Sequence, residues 1–449
     1  MTPSTSSSLT YLRPEVQQLK DVLDDFIEND VIPAEDEWHA HINQFQGADR
    51  FQMKAIPPVL FKLQETAKQL GLWNLFLPER LIQYIPDNCQ HLLPKIILTY
   101  REYGLFCESM GRSIELAPLV CNCSAPDTGN MEVLLEFGSD HLKQQYLEPL
   151  LNGSIRSTFL MTEPRVASSD PTNLETSLTK EPDGTYTLRG EKWWSTGAMD
   201  PRCQVAIVVA KNCTTTTKTS TTTNRHHQHC IVVLPLPHPG FTNLRPLTVF
   251  GYDDAPFGHA HVKFEISGLT HQHILNGSGF AIAQARLGPG RIHHCMRAIG
   301  VTQRCYDLML ERSCARVAFG KLLHEHGMTQ AMIATSCYEL QAARLLTLDC
   351  AAQLDQVQTD GTKSKQARSA IAAIKVAIPK WCCDILDRAI QIHGGAGVCD
   401  DLILAKCWAG LRTLKIADGP DAVHLQTLSK LQVQEYLQNK KNKNDKSRL

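Results

Sequence analysis

The stretch SAIAAIKVAIPKWCCDILDRAIQIHGGAG, from Ser369 to Gly397, contains the clearest helical pattern in the chain. Its apolar side chains recur mostly every three or four positions, which predicts one long helix with a single core-facing stripe. The stripe consists of Ile371, Ile374, Ile378, Trp381, Ile385 and Ile392. Gly394 and Gly395 follow it, and glycine readily adopts the left-handed conformation at which many helices end. The stretch therefore predicts a long packed helix that ends at a pair of glycines.

Outward from this helix, the pattern changes twice along the chain. Helical patterns cover Pro14 to about Ser157 and return after about Ala281, whereas strand patterns occupy the segment between them. In that segment, Val262, Phe264 and Ile266 alternate with polar residues, as expected for a strand with one buried face. We therefore predict an α+β chain with an N-terminal helical domain, a central β domain, a C-terminal helical bundle and a polar tail, at residues 1–158, 159–280, 281–435 and 436–449.

The composition of the chain indicates which kinds of binding partner and cellular environment to expect. The chain has 449 residues, a net charge of -1 and 43% hydrophobic residues, so general electrostatics predicts no nucleic-acid partner. No apolar stretch is long enough to predict a transmembrane segment. The 16 cysteines form no CxxC pair, which favours reduced thiols inside a cell.

The C-terminus resembles a targeting signal. Ser447, Arg448 and Leu449 form a variant of the S-K-L peroxisomal address, after a polar stretch from Gln438 to Lys446 that we expect to be mobile. The sequence thus predicts a peroxisomal protein, with the cytoplasm as the alternative.

A cluster of potential metal ligands follows the Thr-rich tract at 213–224. It consists of His226, His227, His229 and Cys230, whose types suit a metal ion but whose spacing does not define a tetrahedron. We therefore expect a polar loop insertion and no metal site.

Four short segments contain candidate ligand-binding residues. Thr162-Glu163-Pro164, with Ser168 after it, offers hydroxyls on a proline-stiffened loop. The second segment is the predicted strand Lys192-Trp193-Trp194-Ser195-Thr196. Residues two apart in a strand face the same side, so Trp194 and Thr196 could present an apolar ring and a hydrogen-bond donor to one planar ligand. The competing interpretation is a pair of tryptophans buried in the core. The other two segments are Arg316-Val317-Ala318-Phe319-Gly320 and Gln391-Ile392-His393-Gly394-Gly395-Ala396-Gly397.

In this order, the four segments resemble the hallmarks of the acyl-CoA dehydrogenase superfamily, namely a TEP-type serine loop, a KxWxT strand, an RxxFG helix and a QxxGGxG helix end. The resemblance covers about residues 12 to 435 and is closest to family members ten and eleven and their plant and fungal peroxisomal relatives. It implies an N-terminal helical domain, a small central β-barrel and a C-terminal four-helix bundle.

The resemblance also implies FAD as the cofactor. It assigns FAD contacts within one subunit to Phe159, Met161, Thr162, Ser168, Trp194, Ser195 and Thr196. It assigns contacts with the FAD of a neighbouring subunit to Arg316, Phe319, Gln391, Gly394 and Gly395. A site shared in this way implies a homo-oligomer, either a dimer or a tetramer, with FAD at the subunit interface.

The position of the catalytic base follows from the same resemblance. The family base lies 27 residues after the glutamine of QxxGGxG, and this spacing leads from Gln391 to Asp418. Most members have glutamate there, and aspartate is one methylene shorter, so either the backbone or the substrate must shift by about an ångström for proton abstraction. Asp421 is the rival acid, but we expect it to begin a helix. We expect Asp418 to be buried between Ala417, Gly419 and the flavin.

The implied reaction is the conversion of an acyl-CoA to a trans-2-enoyl-CoA. Asp418 would remove the α-proton, and N5 of the flavin would accept the β-hydrogen as hydride. Ser168, Arg291 and Gly419 are the candidate substrate contacts, although Arg291 could equally be a solvated residue at a helix start.

The electron acceptor and the exact reaction each have more than one candidate. The electron acceptor is either oxygen or an electron-transfer flavoprotein. A nitroalkane-oxidase-like enzyme, an acyl-CoA oxidase that uses oxygen and a catalytically silent scaffold of the same fold are the alternatives.

Overall fold

The computed structural model describes residues 10–213, 228–360 and 365–446. These residues form two compact units. The helical unit comprises the described parts of Met1–Lys20, Thr99–Ile114 and Pro289–Leu449, and the sheet unit comprises those of Asp21–Leu98 and Glu115–Gly288. In this division, segments from the N-terminal third group with the C-terminal helices. The three domain boundaries drawn from the sequence stay a prediction.

The sheet unit combines short helices with one mixed sheet. The helices before the sheet are Glu35–Ile42, Pro58–Gln69, Glu79–Ile82, Ala117–Val120, Asp127–Phe137, Asp140–Leu142 and Glu148–Asn152, and Pro14–Phe26 runs through the boundary of the two units. The described strands are β1 Arg156–Leu160, β2 Ser177–Lys180, β3 Tyr186–Thr196, β4 Cys203–Asn212, β5 His229–Pro235, β6 Phe241–Leu247 and β7 His259–Leu269. They are ordered β1-β4-β2-β3-β7-β6, with β5 paired to β4.

Strand β7 shows why the sheet has a buried and an outer face. Val262, Phe264 and Ile266 are buried in the sheet core, as the alternation predicted, and the residues between them point outward. Each such side chain contributes about 1.5–3 kcal/mol through burial. By the same alternation, His259 and His261 lie on the outer face of this strand.

The helical unit contains the long helices of the chain. Its helices are Tyr100–Gly111, the part of Gly279–Ala315 from Pro289 onward, Gly327–Asp360, Lys365–His393, Leu404–Thr413 and Asp421–Lys446. The predicted long helix is confirmed and continues through Pro379. Of its predicted stripe, Ile374, Ile378 and Ile385 are fully buried, whereas Ile371, Trp381 and Ile392 are partly exposed. The helix ends at His393, and Gly394 follows with a φ of 64°.

Two glycines bring the first two helices of this unit into close contact. A β-carbon on Gly300 would lie 1.9 Å from the carbonyl oxygen of Glu108, and one on Gly111 would lie 2.3 Å from that of Arg297. Backbones that approach so closely exclude any side chain, so the crossing depends on glycine at both positions.

One prediction about local structure is wrong, and the last helix is longer than predicted. The RxxFG segment lies on a hairpin of two short strands, β8 Val317–Ala318 and β9 Lys321–Leu322, and not on a helix. Phe319 and Gly320 form its tip with φ values of 52° and 76°, which a continuous helix cannot accommodate. The stretch from Gln438 to Lys446 continues the helix that begins at Asp421. The predicted targeting tripeptide, Ser447 to Leu449, lies outside the described residues.

Two further expectations concern membranes and metals. Within the described ranges, no helix combines the length and the apolar character needed to cross a bilayer. Over the same ranges, no three His, Cys, Asp or Glu side chains are grouped so as to hold a metal ion. His226 and His227 of the predicted loop insertion lie outside these ranges, whereas His229 is buried in β5.

Candidate active site

A buried ion pair holds the TEP segment against strand β3. Lys192 is fully buried and donates from Nζ to the carbonyl oxygen of Met161 at 2.8 Å and to Oε1 of Glu163 at 2.9 Å. The carboxylate of Glu163 also accepts from the backbone N–H groups of Glu175, at 2.7 Å, and Thr176, at 2.9 Å. The loop after β1 is therefore attached to β3 through a charged and hydrogen-bonded centre.

This centre perturbs the ionisation of both groups. Burial lowers the pKa of Lys192 to about 8, although the charge of Glu163 opposes that shift. Burial acts to raise the pKa of Glu163, but the charge of Lys192 and the bonds from Thr176 and Glu175 outweigh it and lower the pKa. Glu163 is therefore a carboxylate at neutral pH, as its hydrogen bonds require.

Other bonds complete the TEP segment. The backbone N–H of Trp193 donates to the carbonyl of Thr162 at 3.0 Å. The hydroxyl of Ser168 accepts from the N–H of Glu163 at 2.9 Å, which closes the loop on itself. The structure thus brings together the first two sequence segments.

A β-bulge determines which side chains β3 presents on its outer face. Lys192 pairs with Val262 and Ser195 pairs with Ala260, so two residues of β3 lie opposite one residue of β7. Trp194, in the bulge, has a φ of 52°. Lys192 and Ser195 are both buried, whereas Trp194 is 40% exposed and Thr196 is partly exposed. The competing interpretation of a core tryptophan pair is therefore wrong for Trp194.

Both of these outer residues contact one histidine that the sequence analysis missed. His259 lies opposite Thr196 on β7, and its Nδ1 is 2.9 Å from the Thr196 hydroxyl oxygen. The rings of Trp194 and His259 meet edge to face, with centroids 5.7 Å apart. Oδ2 of Asp254 lies 2.9 Å from Nε2 of the same imidazole. The sequence could have predicted its position, because His259 belongs to the polar residues that alternate with the buried ones along β7 and therefore lie on the outer face.

The side chains of the remaining candidate cofactor residues of the sheet unit differ in their solvent exposure. Phe159 is partly exposed, and the guanidinium carbon of Arg286 lies 4.0 Å from its ring centroid. Met161 and Thr162 are also partly exposed. Ser195 is 1% exposed, so its hydroxyl is not presented to solvent. A cofactor contact by Ser195 would have to use its main chain.

In the helical unit, Asp418 occupies a tight turn before the last helix. Asp418 has a φ of 55° and Gly419 a φ of 102°. A β-carbon on Gly419 would lie 2.8 Å from Nε2 of His424, so both the conformation and the space require glycine. Nε of Arg291 donates to the carbonyl oxygen of Asp418 at 3.1 Å, and Nε2 of His424 lies 3.2 Å from it. These contacts orient the turn.

The carboxylate of Asp418 lies among basic side chains. Nε2 of His294 is 3.6 Å from Oδ2 of Asp418, whose side chain is 22% exposed. Lys375 is buried nearby and donates to the carbonyl of Leu414. Burial lowers the pKa of Lys375, partly offset by Cys295 and Asp418, and burial also lowers the pKa of Arg291.

The structure corrects one expectation about this turn. Arg291 lies inside the helix Gly279–Ala315 and bonds the Asp418 turn, so it is not a solvated residue at a helix start. Ala417 is exposed and the side chain of Asp418 is 22% exposed, so the burial of Asp418 against a flavin stays a prediction. Asp421 begins the last helix as predicted, and its carboxylate lies 2.7 Å from Nζ of Lys415.

The other candidate residues of the helical unit are exposed. Phe319, at the hairpin tip, is 99% exposed, and Arg316 beside it is exposed as well. Gln391, Gly394 and Gly395 are exposed at the end of the Lys365–His393 helix. Their assigned role toward a neighbouring subunit stays a prediction.

Comparisons with known proteins match nearly the whole chain. The profile of the acyl-CoA dehydrogenase middle domain matches residues 158–265, and that of the acyl-CoA dehydrogenase C-terminal domain matches residues 277–431. Probable acyl-CoA dehydrogenase IBR3 of Arabidopsis thaliana is 44% identical over 436 residues, which cover 94% of this chain and 50% of the plant protein. Acyl-CoA dehydrogenase family member 11 of Rattus norvegicus is 43% identical over 414 residues, 91% of this chain and 49% of the rat protein. The chain spans about half the length of these relatives.

A solved structure supports the same relationship over full length. An acyl-CoA dehydrogenase homologue from Mycobacterium abscessus has a TM-score of 0.85 at 38% identity, covering 95% of this chain and 100% of that one. The resemblance inferred from the four sequence segments is thereby confirmed, and so is the similarity to family member eleven and to a plant relative.

Proposed function

Because this chain belongs to the acyl-CoA dehydrogenase family, we propose that it uses FAD to oxidise an acyl-CoA thioester to the trans-2-enoyl-CoA. We assign the removal of the α-proton to Asp418. The observation that carries this assignment is the carboxylate on the Asp418–Gly419 turn, which stays partly exposed while Arg291 and His424 bond the main chain beneath it. A base must be held in place and still be accessible, and this turn meets both conditions.

The outer face of the sheet unit fits a flavin. The backbone of Trp194 has a left-handed conformation, which is uncommon for a bulky residue. Its large indole ring is also partly exposed, and exposure of an apolar ring to water is unfavourable. A planar aromatic ligand would cover this ring, and the hydroxyl of Thr196 would lie beside it. The residues that would hold FAD on this unit are Phe159, Met161, Thr162, Ser168, Trp194, Thr196 and the main chain of Ser195. When bound, FAD accepts the two electrons that leave with the substrate's β-hydrogen.

The α-proton of the thioester moves to an oxygen of Asp418. The carboxylate is one methylene shorter than the glutamate of most members, so the substrate must lie about an ångström closer to the turn. Arg291, whose Nε fixes the turn, is also our candidate for a substrate contact, together with Ser168 and Gly419. A general base contributes about a hundredfold to ten-thousandfold in rate.

The partners are proposed on the same basis. The exposed Phe319 and Arg316 support a homo-oligomer, dimer or tetramer, in which they reach the FAD of a neighbour. Oxygen and an electron-transfer flavoprotein are the two candidate electron acceptors. A peroxisomal location is proposed from Ser447, Arg448 and Leu449 alone.

The test is an anaerobic titration of the purified chain with acyl-CoAs of different length and branching, followed by the loss of flavin absorbance. At least one acyl-CoA should bleach the flavin, and Asp418→Asn should keep its FAD but bleach about a thousandfold more slowly. Asp421→Asn is the matched control, because Asp421 is similarly exposed but is bonded to Lys415, and its rate should stay within a fewfold of wild type.

Each alternative has its own outcome in this experiment. A near-normal bleaching rate in Asp418→Asn would remove Asp418 from its role. Oxygen consumption with nitroethane, without bleaching by any acyl-CoA, would favour the nitroalkane-oxidase-like enzyme. Oxygen consumption with an acyl-CoA would favour the oxidase, and a purified protein that binds no FAD would favour the silent scaffold.

A further inference from the structure

A chain of two hydrogen bonds runs from the outer face of the sheet unit to a carboxylate. The Thr196 hydroxyl oxygen lies 2.9 Å from Nδ1 of His259, and Nε2 of His259 lies 2.9 Å from Oδ2 of Asp254. We call these three residues the threonine relay. Thr196 and His259 face each other across β3 and β7, so the strand pairing itself holds the first bond in register.

The carboxylate determines the direction of both bonds. An ionised carboxylate only accepts hydrogen bonds, so Nε2 of His259 must carry a proton. In the neutral imidazole Nδ1 is then an acceptor, and Thr196 donates its single hydroxyl proton to it. In the imidazolium, Nδ1 is also a donor. The Thr196 oxygen then accepts from His259, and its own proton is free to bond another group.

We propose that His259, oriented by Asp254, is a positioning residue that determines whether the Thr196 hydroxyl can donate to FAD. This inference rests on the proposed function, in which Thr196 lies beside the flavin. The oxidised isoalloxazine presents N5 as an acceptor, so oxidised FAD should bind more tightly when His259 is charged. The same imidazole contacts the ring of Trp194, so it supports both Trp194 in the bulge and Thr196 after it.

Within the described ranges, Asp254 is the charged residue whose side chain bonds His259, and the other charged groups near it are paired elsewhere. Asp253, next in the loop, is paired with Arg50, whose Nε lies 2.6 Å from its carboxylate. On β7 the next outer residue, His261, has its Nε2 2.7 Å from Glu191, and a nitrogen of Arg165 lies 3.5 Å from the same glutamate. On β6, His259 is paired with Leu247, which does not ionise.

The experiment measures the dissociation constant of oxidised FAD from the full chain between about pH 5 and 8, the range in which imidazoles titrate. In the wild type, affinity should fall by about twofold to tenfold as pH rises, which corresponds to one net hydrogen bond. His259→Gln should bind FAD with no such pH dependence, since its amide does not titrate. His261→Gln is the matched control on the same strand face and should keep the wild-type profile.

A second variant keeps the test decisive if His259→Gln does not fold. Asp254→Asn replaces an oxygen that can only accept with an amide that can also donate, so the direction of the two hydrogen bonds is no longer fixed and the pH dependence of FAD binding should weaken. Wild-type pH dependence in either Asp254→Asn or His259→Gln overturns the relay. Wild-type FAD binding without pH dependence overturns the relay but leaves the proposed function intact, whereas a chain that binds no FAD overturns both.

Discussion

Removal of the Lys192 amine should destabilise the sheet unit more than any surface ion pair could. In Lys192→Met, the apolar stem stays in place but the charge is lost. The carboxylate of Glu163 then remains 4% exposed and keeps the N–H groups of Glu175 and Thr176 as partners, and the carbonyl of Met161 loses the donor that Lys192 supplied. The perturbation thus leaves one buried charge without a counter-ion and one polar atom without its bond.

The magnitude follows from these losses. Breaking a buried ion pair by removing one partner costs about 3–5 kcal/mol, because the remaining charge stays desolvated. The Lys192→Met and Glu163→Leu double variant leaves no buried charge, so its cost should be clearly smaller than the sum of the two single costs.

The assay is urea unfolding of the full chain, together with hydrogen exchange of the segment at 160–176 as a local readout. The matched control is Lys380→Met, which removes an exposed pair with Asp384 one helical turn away and should cost at most about 0.5 kcal/mol. If Lys192→Met unfolds within about 0.5 kcal/mol of that control and its exchange is unchanged, the ion pair does not hold the TEP segment as we argue.

Two further predictions concern the helical unit. Gly300→Ala would place a methyl group 1.9 Å from the carbonyl oxygen of Glu108, so we expect a loss of at least about 1–3 kcal/mol in urea unfolding. The control is Gly410→Ala, which should be neutral or stabilising because a β-carbon on Gly410 would have open space around it. Equal effects of the two substitutions would contradict the close helix crossing. Phe319→Ser should leave the fold of the subunit intact, because the ring is 99% exposed, but should weaken subunit association about tenfold to a hundredfold in sedimentation equilibrium. An unchanged association constant would show that the hairpin tip is not part of the interface.

Periodicity predicted the regular elements well because burial of apolar side chains determines them. Ile374, Ile378 and Ile385 recur at helical spacing, and Val262, Phe264 and Ile266 at strand spacing, and all six are buried as expected. The RxxFG segment from Arg316 to Gly320 was mispredicted as helix because two left-handed residues, Phe319 and Gly320, leave no signal in hydrophobic spacing. The helix through Lys446 was missed for a related reason, since its final residues are polar all round.

The sequence by itself determined the family and the change from helical to strand patterns and back, because these depend on local motifs and periodicity, and the resemblance to the family nominated Asp418 as the candidate base through its count from Gln391. Only the tertiary structure decided which groups surround those residues. Lys192 is buried, and in a regular strand every second residue after it, including Thr196, would point to the same buried side. The bulge at Trp194 shifts this alternation by one residue, so Thr196 points to the outer face and contacts His259. Contacts such as Thr196 with His259, or Asp418 with Arg291, join residues 63 and 127 positions apart. No local pattern encodes them, because they form only when strands pair and helices pack.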